Sequence, residues 1–152
     1  MRDFHRNLLS SEVREFDQEV ARLFEDLDRT RVSGRPPRGH CNPALDVVLT
    51  DAAVEVILDL PGVVAERLRI VLKQGVLLVV GEKPSPYPDE RIDGTFHVVE
   101  RGFGFFARAV RLDGAFDGCR ARATLRGGEL RVTVPRIVER RGQDIIVPVA
   151  SE

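Results

Sequence analysis

No stretch of this chain approaches the roughly 20 apolar residues that a membrane-spanning helix needs. Its longest unbroken apolar run is residues 76–80, VLLVV. Ser10, Ser11 and Glu12 interrupt the apolar pair Leu8-Leu9 before it can form the core of a secretion signal. The expectation is a soluble, unexported, cytoplasmic protein without a membrane span. Cysteine is scarce: Cys41 and Cys119 stand far apart, which suits a reducing compartment better than a disulfide scaffold. An excess of one charge is also missing. A net charge of -1 with 31% charged residues makes the surface mixed, and nothing in that balance argues for nucleic acid as a partner.

The residues that carry catalysis are thin as well. His5 lies near the start, His40 sits beside Cys41 in a linker, and His97 falls in a predicted strand, facing opposite to Phe96 and Val98. Adjacent His40 and Cys41 lack the spacing of a zinc site. Gly102-Phe103-Gly104 is a fragment of the dinucleotide fingerprint that opens no evident helix; the lysine-bearing phosphate loop and the Gly-x-Ser-x-Gly nucleophile turn are both absent. Glu55, Asp59 and Glu82 read as solvated strand and turn carboxylates, not as a catalytic pair. The expectation is a protein with no cofactor and no enzymatic activity.

What is present is apolar periodicity of two kinds. Across residues 11–29, Val13, Phe16, Val20, Leu23, Phe24 and Leu27 fall three or four apart, the stripe of an amphipathic helix in need of a partner. Residues 30–42, with Gly34, Pro36, Pro37 and Gly39, read as a linker. From Pro43 onward the period changes to two. Val54, Val56, Leu58 and Leu60 alternate before Pro61-Gly62; Leu68, Ile70 and Leu72 repeat the pattern; residues 76–80 are apolar on both faces, as in a central strand. Residues 96–101 and 105–112 carry charges and read as more exposed strands. Residues 83–95 contain Pro84, Pro86 and Pro88 and read as a long excursion between strands. After Gly127-Gly128, Leu130, Val132 and Val134 alternate with Glu129, Arg131 and Thr133 until Pro135. Short strands without intervening helices imply an all-β, immunoglobulin-like antiparallel sandwich. The chain divides into an arm and linker (1–42), a sandwich (43–136) and an extension (137–152). In that extension Ile145, Val147 and Val149 share one face beyond a charged spacer.

The set Ala123, Gly128 and Leu130, in the pattern Ala-x-x-x-x-Gly-x-Leu, resembles the signature of the alpha-crystallin domain of the small heat-shock proteins. Pro43-Ala44-Leu45-Asp46-Val47, Asp59-Leu60-Pro61-Gly62-Val63, Gly81-Glu82, and Glu100-Arg101 with Phe105 and Arg108 follow in the family's order. The likeness covers residues 43–149. Glu129 occupies a place usually apolar in that family, and Asp113-Gly114 replaces a usual proline.

The resemblance implies an ATP-independent holdase that assembles as a homodimer and higher homo-oligomer and captures non-native client proteins. It implies a strand-exchanged dimer in which residues 96–100, with Phe96, Val98 and Glu100, pair with the partner's edge near residues 43–49. An intramolecular hairpin is the alternative. Arg108 matches a family arginine of dimer contacts, or else forms a surface ion pair. The tail, as Ile145 with Val147 or Val147 with Val149, would enter a neighbour's groove lined by Leu68, Ile70, Ala123 and Leu125. Phe4, Leu8, Leu9, Phe16 and Phe24 are the expected client-binding residues, because a phenylalanine-bearing arm adapts to unlike partners. The rival reading is a sandwich adaptor that binds one folded partner.

Overall fold

Val54, Val56 and Leu58 are buried in strand β2 (Ala53–Asp59), and opposite them stand Val134, Val132 and Leu130 of strand β7 (Glu129–Pro135). This three-rung ladder of apolar cross-strand pairs is the centre of the larger of two sheets. The structure, a computed structural model, describes residues 10–29, 39–87 and 94–137, for residues 10–16 and 28 the backbone alone. Strand β1 (Leu45–Leu49) flanks β2, and strand β6 (Arg122–Arg126) flanks β7, giving the order β1-β2-β7-β6. The second sheet has the order β3-β4-β5, from strands Leu68–Lys73, Val76–Lys83 and Gly104–Arg111. The strand pairings among the described residues are antiparallel, and an isolated parallel bridge joins His40 to Phe105. The two sheets close on Leu68, Leu77, Val79 and Phe106 from one layer and the β2–β7 ladder from the other. The sandwich expected from the alternating patterns is therefore the fold, and residues 76–80 are its central strand.

Two-residue turns fix the register of two hairpins. Gln74-Gly75 joins β3 to β4 and Gly127-Gly128 joins β6 to β7, with φ of 50° and 76° in the first and 60° and 80° in the second. Positive φ at both turn positions matches the right-handed twist of the strands. Gly128 has a second constraint, since a Cβ there would lie 2.9 Å from Pro61 Cα. Leu60 N donates to Gly128 O at 2.6 Å, locking the turn against the Leu60-Pro61 corner.

The Gly81-Glu82 pair has an equally physical origin. A Cβ on Gly81 would fall 2.6 Å from the Phe106 ring and 2.8 Å from Arg67 O. Glu82 is not the solvated carboxylate expected: it pairs with Arg67, and its side chain is 12% exposed. Glu129, by contrast, points outward and pairs with Arg131 at 3.0 Å, so the departure from an apolar residue there leaves the core untouched.

Helix α1 (Ser10–Arg29) lies on the outer face of the three-stranded sheet. One expected element is absent: residues 94–103 form no strand. A strand requires a partner for its backbone, and this segment has none among the described residues. Gly81→Ala overpacks a site walled partly by backbone, so it should lower stability by about 1–3 kcal/mol. Chemical denaturation of both chains checks this through a lowered midpoint at unchanged slope.

Candidate functional site

Three apolar surfaces remain where the sandwich stops. The first is a pair of unpaired segments. Strand β1 forms an edge of its sheet, and Val47, Val48 and Leu49 on it are 48%, 44% and 60% exposed. Phe96, Val98 and Val99 are likewise exposed, Val98 and Val99 by more than 70%. The base of the 94–103 segment is held by aromatic edges: Tyr87 meets Phe96 at 5.2 Å and Phe103 at 6.3 Å, while Arg101 lies over the Phe103 ring at 4.8 Å. Arg108 donates to Asn42 Oδ1 at 2.7 Å and to Pro43 O at 3.1 Å, just before β1 begins. Among the described residues it forms no ion pair, so the surface ion pair considered above is replaced by neutral acceptors.

The second surface is formed by β3 and β6, each an outer strand of its sheet among the described residues. Ile70, Leu72, Ala121 and Leu125 are half-buried against the core there, and the turn Gly118–Arg120 packs close to Leu72. Of the four residues expected, Ile70 and Leu125 sit in this position. Leu68 is buried, 8% exposed, and belongs to the core, while Ala123 is exposed. Leu72, which continues the β3 alternation, and Ala121, which precedes β6, are half-buried against the core as Ile70 and Leu125 are.

The third is the seat of α1. Val20, Leu23 and Phe24 press on Val71, Val76, Leu78, Val80, Ala107 and Ala109; Leu27, one turn on, is fully buried. Polar contacts pin one flank: Arg69 Nε meets Asp26 Oδ2 at 2.8 Å, and Arg67 Nη1 donates to Leu27 O at 2.8 Å. The Arg69 guanidinium holds the Asp26 carboxyl below the usual carboxylate range. Phe24, expected to serve unlike partners, meets Phe105 of its own domain with ring centroids 4.6 Å apart at a tilt of 46°. The side chain of Phe16, together with Phe4, Leu8, Leu9, Ile145, Val147 and Val149, lies outside the described residues.

Beside Phe24 a cleft of about 290 Å³ opens between α1 and β5, lined in part by His40, Cys41, Phe105 and Arg108. Cys41 N donates to Phe105 O at 2.9 Å, and burial pushes the Cys41 thiol up, with Lys83 pulling the other way. His97 is exposed in a bend. Among the described residues no three His, Cys, Asp or Glu side chains group as a metal site, and no helix is long and apolar enough to cross a membrane.

Two sheets of this order with open edges define an alpha-crystallin type of sandwich, and comparison with known proteins agrees. The model of the Hsp20/alpha crystallin family matches residues 46–150, through both sheets and past Ile145, Val147 and Val149. Heat shock protein 16 of Schizosaccharomyces pombe is 31% identical over 124 residues, 80% of this chain and 86% of that protein. The 18 kDa antigen 1 of Mycobacterium avium is 33% identical over 129 residues, covering 84% of each chain. Among solved structures, heat shock protein 16.0 from Schizosaccharomyces pombe superposes with a TM-score of 0.60 at 29% identity, over 73% of this chain and all of that one. A small heat-shock protein from Xylella fastidiosa gives 0.61 at 20% identity, over 74% and 99%, a likeness of fold. The chain belongs to the Hsp20/alpha crystallin family of small heat-shock proteins.

The two cysteines report on the helix seat. Cys119 is exposed and Cys41 is half-buried with a raised pKa. A chromogenic thiol reagent should therefore consume Cys119 first and Cys41 in a slower phase. Phe24→Ala, which removes one wall of the cleft, should speed that slower phase selectively; equal rates for both thiols in the native chain would contradict the burial of Cys41.

Proposed function

We propose that this chain is an ATP-independent holdase that assembles from strand-exchanged dimers and binds unfolding proteins before they aggregate. The observation that carries the reading is the pair of complementary vacancies in one chain. β1 has a free backbone edge with Val47, Val48 and Leu49 exposed, and residues 96–99 have an apolar, unpaired backbone with Phe96, Val98 and Val99 exposed. An exposed apolar edge is a hazard in a monomer, and pairing it with the partner's 96–100 segment removes the hazard twice in a two-fold dimer. Arg108 supports the geometry by tying Asn42 and Pro43 to β5 at the start of that edge.

The groove between β3 and β6 is the proposed acceptor for Ile145, Val147 and Val149 of a neighbouring copy. Burying two or three aliphatic side chains yields roughly 1.5–3 kcal/mol each before association costs are subtracted. One tail binds weakly; many tails on one particle hold through effective concentration and still exchange. Phe4, Leu8 and Leu9 then remain as candidate apolar contacts for clients, since Phe24 is engaged on its own sheet.

Light scattering on the intact chain and on one ending at Gln143 tests the assembly. Large particles should shrink to dimers on truncation. An intact chain that is already a monomer or dimer favours the adaptor reading. Activity is tested by heating an aggregation-prone enzyme with the chain in excess and without nucleotide. Turbidity should be suppressed, and the triple change F4S, L8S and L9S should reduce suppression several-fold. Turbidity that rises unchanged with the intact chain present overturns the holdase assignment.

A further inference from the structure

The outer face of a sandwich sheet ordinarily meets water and carries polar residues. Here that face of β3-β4-β5 is a continuous apolar floor of Val71, Val76, Leu78, Val80, Ala107 and Ala109. Along β3 its border is basic: Arg69 and Lys73 share the outer face with Val71, and Arg67 precedes them, while on the β5 side Arg111 shares the face of Ala107 and Ala109. The helix that covers the floor carries the opposite sign along the matching flank. Asp26 meets Arg69, the carbonyl of Leu27 meets Arg67, and Lys73 acts on Glu19, whose carboxyl is held low chiefly by its hydrogen bond to Arg22. The two contacts, Asp26 with Arg69 and Leu27 with Arg67, order α1 antiparallel to β3, and the weaker influence of Lys73 on Glu19 agrees with that direction. The spacings agree: seven helical residues from Glu19 to Asp26 span about 10.5 Å, and four strand residues from Arg69 to Lys73 about 13 Å. The floor and its basic rim thus read one pattern, apolar residues at i, i+3, i+4 and i+7 with acidic residues seven apart on one flank.

We propose that this face is a receptor for amphipathic helical segments with an acidic flank, that α1 is its resident, and that segments of the same chemistry in non-native clients displace α1 and take its place. The inference rests on the holdase reading and names the class of client segment captured at this site. Three features make displacement feasible. Among the described residues the resident is held by Val20, Leu23 and Phe24 on the floor, by the buried Leu27, by the Arg67 bond to the Leu27 carbonyl and by a partly exposed ion pair, Arg69 and Asp26 being 27% and 47% exposed. Pairs of that kind contribute little in water. The connection from α1 to β1 contains Gly34, Pro36 and Pro37, so the helix is not continuous with any strand it must leave. The floor residues also form a cluster separate from the sandwich core.

The test uses the full chain and two labelled peptides followed by fluorescence anisotropy. One peptide has the sequence of residues 10–29; the other carries Lys in place of Glu19 and Asp26. The intact chain should prefer the acidic peptide by about threefold or more, a ratio of the size a partly exposed charge pair supplies. Leu27→Ser, which loosens the resident, should tighten binding of the acidic peptide. Arg69→Asp should invert the preference toward the lysine peptide, an outcome that general destabilisation would not produce. An unchanged ranking with Arg69→Asp, or no binding even to the L27S chain, overturns the proposal. Uptake of peptide only with release of subunits assigns the face to α1 of neighbouring copies and overturns its assignment to clients. Aggregation suppression measured in parallel separates the two readings. Suppression without the inversion keeps the holdase and removes this site; inversion without suppression keeps the site and removes the holdase.

Discussion

Leu77 and Val79 of β4 point into the sandwich, Val76, Leu78 and Val80 point the opposite way, and none of the five is more than 1% exposed. A strand buried on both faces needs two covers. The first is the four-stranded sheet, whose β2–β7 ladder supplies Val54, Val56 and Leu58 against Val134, Val132 and Leu130. The second is α1. Both covers follow from one run of apolar residues, because a half-buried strand would need only one layer over it. The position of β4 between β3 and β5 follows too, since edge strands cannot be buried on every side. Gly81 ends this run where Phe106 crosses close above it, leaving no room for a Cβ.

The free edges are not alike, and the difference bears on assembly. β6 carries Arg122 and Arg126, and β3 carries Arg69 and Lys73. Charge on an edge discourages further strand pairing and leaves side-chain docking in the groove as the available interaction. β1 carries a single charge, Asp46, and leaves Val47, Val48 and Leu49 in the open. Phe96, Val98 and Val99 are likewise exposed and lie in no ladder among the described residues. An edge so lightly charged suits the strand exchange proposed above.

Most of the sandwich was legible because period-two alternation is a direct consequence of one buried face. β2, β3 and β7 could each be read this way, β4 from its unbroken apolar run, and α1 from its three-and-four spacing. The failures have equally physical causes. Residues 96–101 alternate like a strand, but alternation reports side-chain environment and not whether the backbone has a partner, so the strand was expected and is absent in the single chain. Glu82 was read as solvated because its partner Arg67 lies fifteen residues away on a turn, and no local spacing encodes that meeting. Leu68 and Ile70 share a face in sequence, yet only depth within the sandwich separates core from groove. The apolar stripe of α1 left its partner open. The stripe states that a partner exists; the outward half of β4 identifies it.

The division of apolar residues into two clusters has a consequence for how such a chain can open. Thirteen buried residues, from Val54 to Val134, form the inner core, while Leu23 joins Val76, Leu78 and Val80 in the outer one. No buried residue belongs to both. Lifting α1 would expose the outer cluster but leave the ladder of β4 with its two neighbours and every contact of the inner core in place. The apolar gain lost would be that of a few side chains, roughly 1.5–3 kcal/mol for each one fully buried. It would be offset in part by the freedom regained by the helix. A single merged core would not permit this, since exposing any part of it would weaken the scaffold itself. The fold thus separates the residues that keep the domain folded from those that can be uncovered, which is the condition for presenting apolar surface without unfolding.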